Sequence, residues 1–235
     1  MAKTFRSAGG GRVMAASGDG GQGGGAPGGP VAVILAGGRG ERMGGQDKCL
    51  LEVGDRTILA RILDILRPDV DEVLISANGF RPRFAAYGCP VLPDSPDLAG
   101  QGPLAGLAAA AAARPDRAIV SVPGDAPFLP VGLAAALLDA ATDRPVFLRY
   151  AGDDHPTIAA YPAGTLDGLP AWLADTGRRA VKAWLEQLGA LPLDWPQGPK
   201  EEVADPFLNV NRPTDLNVAR KMALPLPAGP GRGSA

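Results

Sequence analysis

Cysteine is scarce in this chain, and its scarcity excludes several classes of architecture. Only Cys49 and Cys89 occur among 235 residues, and neither belongs to a CxxC or Cys/His cluster. Small disulfide-stapled scaffolds and structural zinc domains depend on such clusters. The two cysteines are therefore predicted to be ordinary reduced thiols of a cytosolic protein.

Long hydrophobic runs and an excess of positive charge are also missing. No apolar run reaches the roughly 18–20 residues that a membrane-spanning helix requires, and the N-terminus lacks the continuous hydrophobic stretch of a secretory signal. The formal net charge is −2, so no overall basic field points to a nucleic acid or an acidic membrane surface. The expectation is a cytoplasmic protein with neither nucleic acid nor membrane as a partner.

The two ends of the chain contain few large apolar residues. Residues 1–30 hold 11 of the 33 glycines, and residues 223–235 read as a loose, proline- and glycine-rich tail. Such segments cannot bury enough surface to offset the entropy lost on ordering. The sequence predicts a disordered tail over 1–30, one working domain over 31–222, and a loose C-terminal tail over 223–235.

Inside the domain, short apolar runs alternate with helical patterns. Strands with intervening helices predict right-handed crossovers and a three-layer α/β fold, in which helices cover both faces of a mostly parallel sheet. Thr57 is the expected N-cap of the first helix. The predicted strands are Val31–Leu35, Glu72–Ala77, Ala118–Val122, Val146–Tyr150 and Thr157–Tyr161, and the helices are Thr57–Leu66, Leu104–Ala113 and Leu133–Ala141.

A glycine-rich loop, Leu35–Lys48 (LAGGRGERMGGQDK), directly follows the first strand. Glycines let backbone N–H groups surround phosphate oxygens, and ligands of α/β sheets bind past the carboxyl ends of strands. A Walker A loop needs G-K-[ST], but Gln46 follows the last glycine; a dinucleotide fingerprint needs a glycine where Met43 stands. The loop is predicted to cradle a nucleoside triphosphate for nucleotidyl transfer.

The stretch from this loop to Val53, LAGGRGERMGGQDKCLLEV, resembles the signature of nucleotidyltransferases with the glycosyltransferase-A-like fold. Within them it is most similar to the molybdenum cofactor guanylyltransferases. The similarity covers nearly all of residues 31–222 but neither tail. It continues through SANG (76–79), PDS (93–95), GPLAGL (102–107), PGDAPFLP (123–130), DHPTIA (154–159) and FLNVN (207–211).

The resemblance implies roles for residues at the predicted ligand edge of the sheet. Asp125 would hold Mg²⁺, which usually takes one or two carboxylates plus phosphate oxygens and water. Lys48 would bind the triphosphate and neutralise developing charge, with Arg42 contacting the β- and γ-phosphates. GTP binding would also use main-chain groups and two polar side chains: Leu35, Ala36, Gly37, Gly38, Asn78 and Asp94.

A second set of residues is predicted to face the other substrate. His155, the only histidine, lies in DHPTIA, which resembles the family segment lining that side, and Asn209 and Asn211 belong to FLNVN. A basic cluster in a helix-like segment, Arg178, Arg179 and Lys182, is either an ordinary solvated face or a means of steering an anionic pterin phosphate.

The reaction implied by the resemblance joins GTP to molybdopterin, or to its molybdenum-loaded form, and releases pyrophosphate. Proteins that deliver or receive the cofactor are possible further partners. Three alternatives stay open: a cytidylyl-transferring relative, a sugar-1-phosphate nucleotidyltransferase, and a non-catalytic molybdopterin-binding protein. The loop's LAGG favours guanine, because the cytidylyl relatives tend towards LAAG.

Overall fold

The computed structural model describes residues 28–37, 47–79, 81–197 and 205–223. Residues 1–27 and 224–235 of the predicted tails, and residues 38–46 of the glycine-rich loop, lie outside these ranges. The fold within the described ranges is built on one large sheet and one short hairpin.

The large sheet has seven strands within the described residues, and all except β8 run in one direction. Its spatial order is β5-β4-β1-β6-β8-β7-β9. The predicted mostly parallel sheet is confirmed. The strands of the sheet are β1 (Val31–Leu35), β4 (Glu72–Ser76), β5 (Val91–Leu92), β6 (Ile119–Pro123), β7 (Val146–Tyr150), β8 (Asp153–Tyr161) and β9 (Leu191–Asp194), and the hairpin is β2 (Glu52–Val53) with β3 (Arg56–Thr57).

Six α-helices of the described residues cover the sheet on both faces, which confirms the three layers. Side chains alternate across β1: Ala32 and Ile34 pack in one core with α1, α3 and α6, whereas Val31 and Val33 pack in the other with α2, α4 and α5. The helices are α1 (Ile58–Leu66), α2 (Pro103–Ala113), α3 (Leu133–Ala140), α4 (Leu169–Thr176), α5 (Val181–Gln187) and α6 (Pro213–Met222). No helix in the described ranges is long and apolar enough to cross a membrane.

The helices and strands that were predicted from strong periodic patterns are present in the structure. Thr57 caps α1 by accepting a hydrogen bond from the Ala60 N–H, as predicted. Strand β8 begins at Asp153, four residues before the predicted start at Thr157, although Pro156 lacks a ladder donor. The structure accommodates Pro156 where the β7–β8 register shifts, and the turn shortens to Ala151 and Gly152.

At the amino ends of the parallel strands, one carboxylate ties three segments together. Glu72 opens β4 and accepts hydrogen bonds from Arg114, at the end of α2, and from Arg117, just before β6. Gly29 also lies here, donating its N–H to Asp71 at 2.8 Å. These contacts set the relative position of β1, β4 and β6, and thereby the position of the opposite edge.

Candidate active site

The carboxyl ends of β1, β4 and β6 meet at one edge of the sheet. The Ala36 N–H donates to the Ser76 carbonyl at 2.9 Å, and the Gly124 N–H donates to the Leu35 carbonyl at 3.0 Å. A Cβ at Gly124 would stand 3.0 Å from the Ala36 Cα, so only glycine allows this approach. The strand ends therefore bring the predicted main-chain contacts, Leu35 to Gly37, next to Asp125.

Lys48, Asp125 and Asn211 meet at this edge although they are far apart in sequence. Lys48 begins a single 3-10 turn, Lys48–Leu50, and its Nζ lies 3.6 Å from Asp125 Oδ2. The same ammonium donates to Asn211 Oδ1 at 2.6 Å. The Val210 N–H, one residue earlier, donates to the Asp125 carbonyl at 2.8 Å. The structure thus brings together two of the predicted catalytic residues, Lys48 and Asp125, and adds Asn211 to them.

The electrostatics of the Asp125 carboxyl differ from those of a surface aspartate. Burial raises its pKa above the ordinary value of 3.8, and the charge and hydrogen bond of Lys48 offset only part of that rise. The neighbouring Cys49 is almost fully buried, and burial raises the pKa of its thiol to about 12. A desolvated carboxylate that has one cation beside it among the described residues retains capacity to bind a further positive charge.

Asn78 and Asp94 form a second polar pair on the same edge, past β4 and β5. Asn78 Nδ2 donates to Asp94 Oδ2 at 2.7 Å, and the Asp94 N–H donates back to Asn78 Oδ1 at 2.9 Å. This reciprocal pairing fixes the amide and orients the carboxylate. A carboxylate so held accepts hydrogen bonds in a defined direction.

Arg83 connects the two halves of the site and was not singled out by the sequence. It lies in the 3-10 segment Arg81–Tyr87, and its Nη2 donates to Asp47 Oδ1 at 3.0 Å and to the Asn78 carbonyl at 3.1 Å. Its partners are 36 and 5 residues away, so no local pattern distinguishes it from a solvated arginine. Arg83 thus links the residue before Lys48 to the Asn78–Asp94 pair.

A cleft with a volume of about 720 Å³ opens along this edge, within the roughly 300–1,000 Å³ typical of small-molecule sites. One wall carries Asn78, Arg83 and Asp94, and another is the start of α2 with Gly102 and Pro103. Arg179 also reaches the cleft wall.

The predicted basic cluster is divided between two places in the structure. Arg178 and Arg179 lie in the connection before α5 rather than in a helix, and only Lys182 is helical. Lys182 donates to Asp154 at 2.9 Å, a carboxylate that it shares with Arg149. The sequence missed this separation because the glycine that ends α4, Gly177, starts a new direction of the chain.

The residues predicted to face the second substrate also lie near the edge. The His155 ring is 5.3 Å from the ring of Phe207, which opens the FLNVN segment. Asn209 Oδ1 is buried without a hydrogen-bond partner among the described residues. Asn211 contacts Lys48, so the structure places it beside the predicted phosphate site.

Two residues that were predicted to bind the nucleotide, Arg42 and Gly38, lie outside the described residues. Within the described ranges no group of three or more His, Cys, Asp or Glu side chains comes together to hold a metal.

Comparison with known proteins places this site in a family. Residues 32–190 match the family model described as the MobA-like NTP transferase domain. A protein of Rhodopseudomonas palustris named molybdenum cofactor guanylyltransferase is 42% identical over 204 residues, covering 83% of this chain and 92% of its own. One of the same name from Mesorhizobium japonicum is 38% identical, covering 82% and 95%.

A solved structure shares the fold at lower identity. The molybdopterin-guanine dinucleotide biosynthesis protein A of Archaeoglobus fulgidus superposes with a TM-score of 0.61 at 19% identity, over 82% of this chain and 97% of its own. The predicted family resemblance is thereby confirmed: the chain belongs to the MobA-like NTP transferases and is a nucleotidyltransferase.

Proposed function

We propose that this chain transfers GMP from GTP to the terminal phosphate of molybdopterin and releases pyrophosphate. The observation that carries the proposal is the Lys48–Asp125 pair, in which the desolvated carboxylate has one cation at 3.6 Å. The relatives named molybdenum cofactor guanylyltransferase support the choice of acceptor and nucleotide.

In the proposed reaction an oxygen of the pterin phosphate attacks the α-phosphorus of GTP. A new P–O bond forms, the bond between the α-phosphorus and the bridging oxygen breaks, and that oxygen leaves with pyrophosphate. The attacking phosphate is already an anion, so the site needs no general base. The protein's work is to position the reactants and neutralise charge, which the Lys48 ammonium is placed to do.

Asp125 is the residue proposed to hold a divalent metal ion, specifically Mg²⁺. Its carboxyl is desolvated and lies beside the predicted phosphate path, and one carboxylate with phosphate oxygens is a usual ligand set for Mg²⁺. When bound, the ion would polarise the phosphoryl group and draw charge from the departing pyrophosphate.

Asp94 is proposed to recognise the base, with Asn78 holding its carboxylate in place. Guanine presents an N2 amino donor and, next to it, an N1–H. A carboxylate accepts two such parallel donors, and Asp94 is held at 2.7 Å by the Asn78 amide. This supports GTP over CTP as the donor.

We further propose residues 31–222 as the catalytic unit, with 1–30 and 223–235 as dispensable tails. Because Gly29 and Arg117 tie residues 28–30 to the domain, a variant beginning at residue 28 is the appropriate truncation. It should retain the full rate of transfer. A loss of activity would assign a role to residues 1–27.

The deciding experiment measures pyrophosphate release from GTP, CTP, ATP and UTP, each with and without molybdopterin and Mg²⁺. We expect release from GTP that requires the pterin. Release with CTP alone would indicate the cytidylyl relative, and release from none would indicate a binding protein without turnover.

The residue-level test is Lys48→Ala. Lys221→Ala, which removes an exposed lysine of α6, is the matched control. The first variant should lose transfer and the second should not. Wild-type turnover in a folded Lys48→Ala protein would overturn the site assignment.

A further inference from the structure

We propose that Asp215 is a positioning residue for transfer, holding Lys48 in place through Asn211. This inference rests on the proposed function, since it concerns how Lys48 acquires its geometry. Asp215 lies in the first turn of α6 and does not itself contact Lys48 or Asp125.

The Asp215 carboxylate fixes the backbone at the end of the FLNVN segment. Its Oδ2 accepts the Asn211 N–H at 2.9 Å and the Arg212 N–H at 2.8 Å. The bond from the Arg212 N–H is ordinary capping of α6, whereas the bond from the Asn211 N–H holds the residue before the cap. Both N–H groups precede the regular hydrogen bonding of the helix, so the carboxylate supplies the acceptor that the helix cannot.

The residue held in this way is the one that holds Lys48. Asn211 Oδ1 accepts from Lys48 Nζ at 2.6 Å, whereas the distance from Nζ to Asp125 Oδ2 is 3.6 Å. Asn211 therefore provides the shorter of the two contacts that locate the ammonium. A lysine side chain has four rotatable bonds, so the location of its charge depends on such contacts.

The same segment is anchored to the other side of the site. The Val210 N–H donates to the Asp125 carbonyl at 2.8 Å. With the Asp215 bonds on one side and the Val210 bond on the other, residues 210–212 form a bracket between α6 and the end of β6. This bracket sets the distance between the proposed phosphate-binding cation and the proposed metal-binding carboxylate.

The test compares Asp215→Ala, Asp215→Asn and Asp205→Ala in full-length protein, with kcat and KM for GTP as readouts. We expect Asp215→Ala to lower kcat by roughly 10- to 100-fold, as a misplaced catalytic group does, with KM for GTP within about twofold. Asp215→Asn retains an acceptor oxygen and should recover most of the rate. Asp205 caps the other end of the segment at the Phe207 N–H without leading to Lys48, so its loss should leave kcat unchanged.

A double-mutant cycle with Asn211→Ala separates positioning from general destabilisation. If Asp215 acts through Asn211, the double variant should have the same kcat as Asn211→Ala alone. Multiplied losses, or an equal loss of kcat in Asp205→Ala, would overturn the inference. If Asp215→Ala fails to fold, Asp215→Leu, which also lacks an acceptor oxygen, replaces it, and wild-type kcat in Asp215→Leu would overturn the inference equally.

The failure of this inference differs from the failure of the proposed function. Wild-type turnover in Lys48→Ala would remove the proposed role of Lys48 itself. Loss of turnover in Lys48→Ala together with normal kcat in Asp215→Ala would contradict only the positioning role.

Discussion

The amino and carboxyl edges of the sheet each carry a carboxylate, and the two carboxylates differ in how they are hydrogen-bonded and paired with cations. Glu72 at the amino edge and Asp125 at the carboxyl edge have side chains that are equally exposed, at 22%. Glu72 accepts hydrogen bonds from two arginines, including 2.7 Å from Arg114 Nε and 3.0 Å from Arg117 Nη1. Among the described residues, Asp125 has the Lys48 ammonium as its one cationic partner, at 3.6 Å.

The pKa values of the two carboxyls move in opposite directions as a result. The hydrogen bond from Arg114 is the main reason that the pKa of Glu72 lies below its ordinary value of 4.5. Burial is the main reason that the pKa of Asp125 lies above its ordinary 3.8. A carboxylate with several hydrogen-bond partners stabilises the folded state. A desolvated carboxylate with few partners destabilises the folded state and remains able to bind a ligand.

The largest effect is expected for Asp125→Asn, which removes the charge of the carboxylate at the functional edge of the sheet. Transfer should fall by about 1,000-fold, the scale of losing a main electrostatic contact in a transition state. Because the folded state raises the pKa of Asp125, its ionised form costs stability above the ordinary pKa. The melting temperature at pH 7 should therefore stay equal or rise. Lost activity with a lowered melting temperature would contradict this account.

The two thiols provide a test at each edge. Cys49, beside Lys48, has its pKa raised by burial from 9.0 to about 12, which makes its thiolate about 1,000-fold rarer than that of an ordinary thiol at neutral pH. Cys89 is only half-buried, near Glu72 and Arg67. Alkylation of the native protein at pH 8, followed by mass spectrometry, should label Cys89 well before Cys49. Both should label in denaturant, and equal native rates would refute the difference in burial.

Glu72→Gln tests the structural side. It removes charge from three hydrogen bonds and should lower the free energy of unfolding by about 2 kcal/mol at pH 7, with kcat unchanged. The sign follows from the lowered pKa: the contribution of Glu72 is full above 4.5 and is lost as pH falls through the lower folded value. The difference in stability between the two proteins should therefore shrink as the pH falls below 4.5. A difference that does not shrink would implicate packing instead of charge.

The smallest effect concerns the β7–β8 turn, which lies at the carboxyl edge but outside the proposed machinery. Ala151 has φ of 51°, a left-handed conformation that favours glycine. Ala151→Gly should stabilise the protein by about 0.5 kcal/mol without changing kcat, because relief of strain exceeds the added unfolded-state entropy. Ala136→Gly in α3 is the control and should destabilise by up to about 1 kcal/mol. The same sign of change in both variants would show that backbone conformation is not the cause.

Much of the fold could be predicted because its signals are local. The β-branched run Val31–Leu35 and the apolar periodicity of Ile58–Leu66 specify their elements within a few residues. The two-residue strands β2, β3 and β5 and the exposed β9 carry no such pattern, and their pairing partners define them. The early start of β8 could not be predicted, since only the register shift opposite Phe147 makes room for Pro156.

The candidate site, like the fold, contains residues that the sequence could identify and residues that it could not. Strand-end position and motif resemblance identified Lys48, Asp125, Asn78 and Asp94 as candidates. They could not identify Arg83, whose role depends on Asp47 and the Asn78 carbonyl, or Asp215, whose role depends on Asn211. These side chains are ordinary in their own segments.

The sequence alone determined that a glycine-rich loop follows a buried strand, that helices and strands alternate, and that the chain resembles one family of nucleotidyltransferases. Each of these is a property of neighbouring residues or of short motifs. The tertiary structure decided which charges meet. Lys48 finds Asn211 across 163 residues of sequence, and Glu72 finds Arg114 across 42. Whether a carboxylate is satisfied or left available depends on those distant partners, because desolvation and charge act through space.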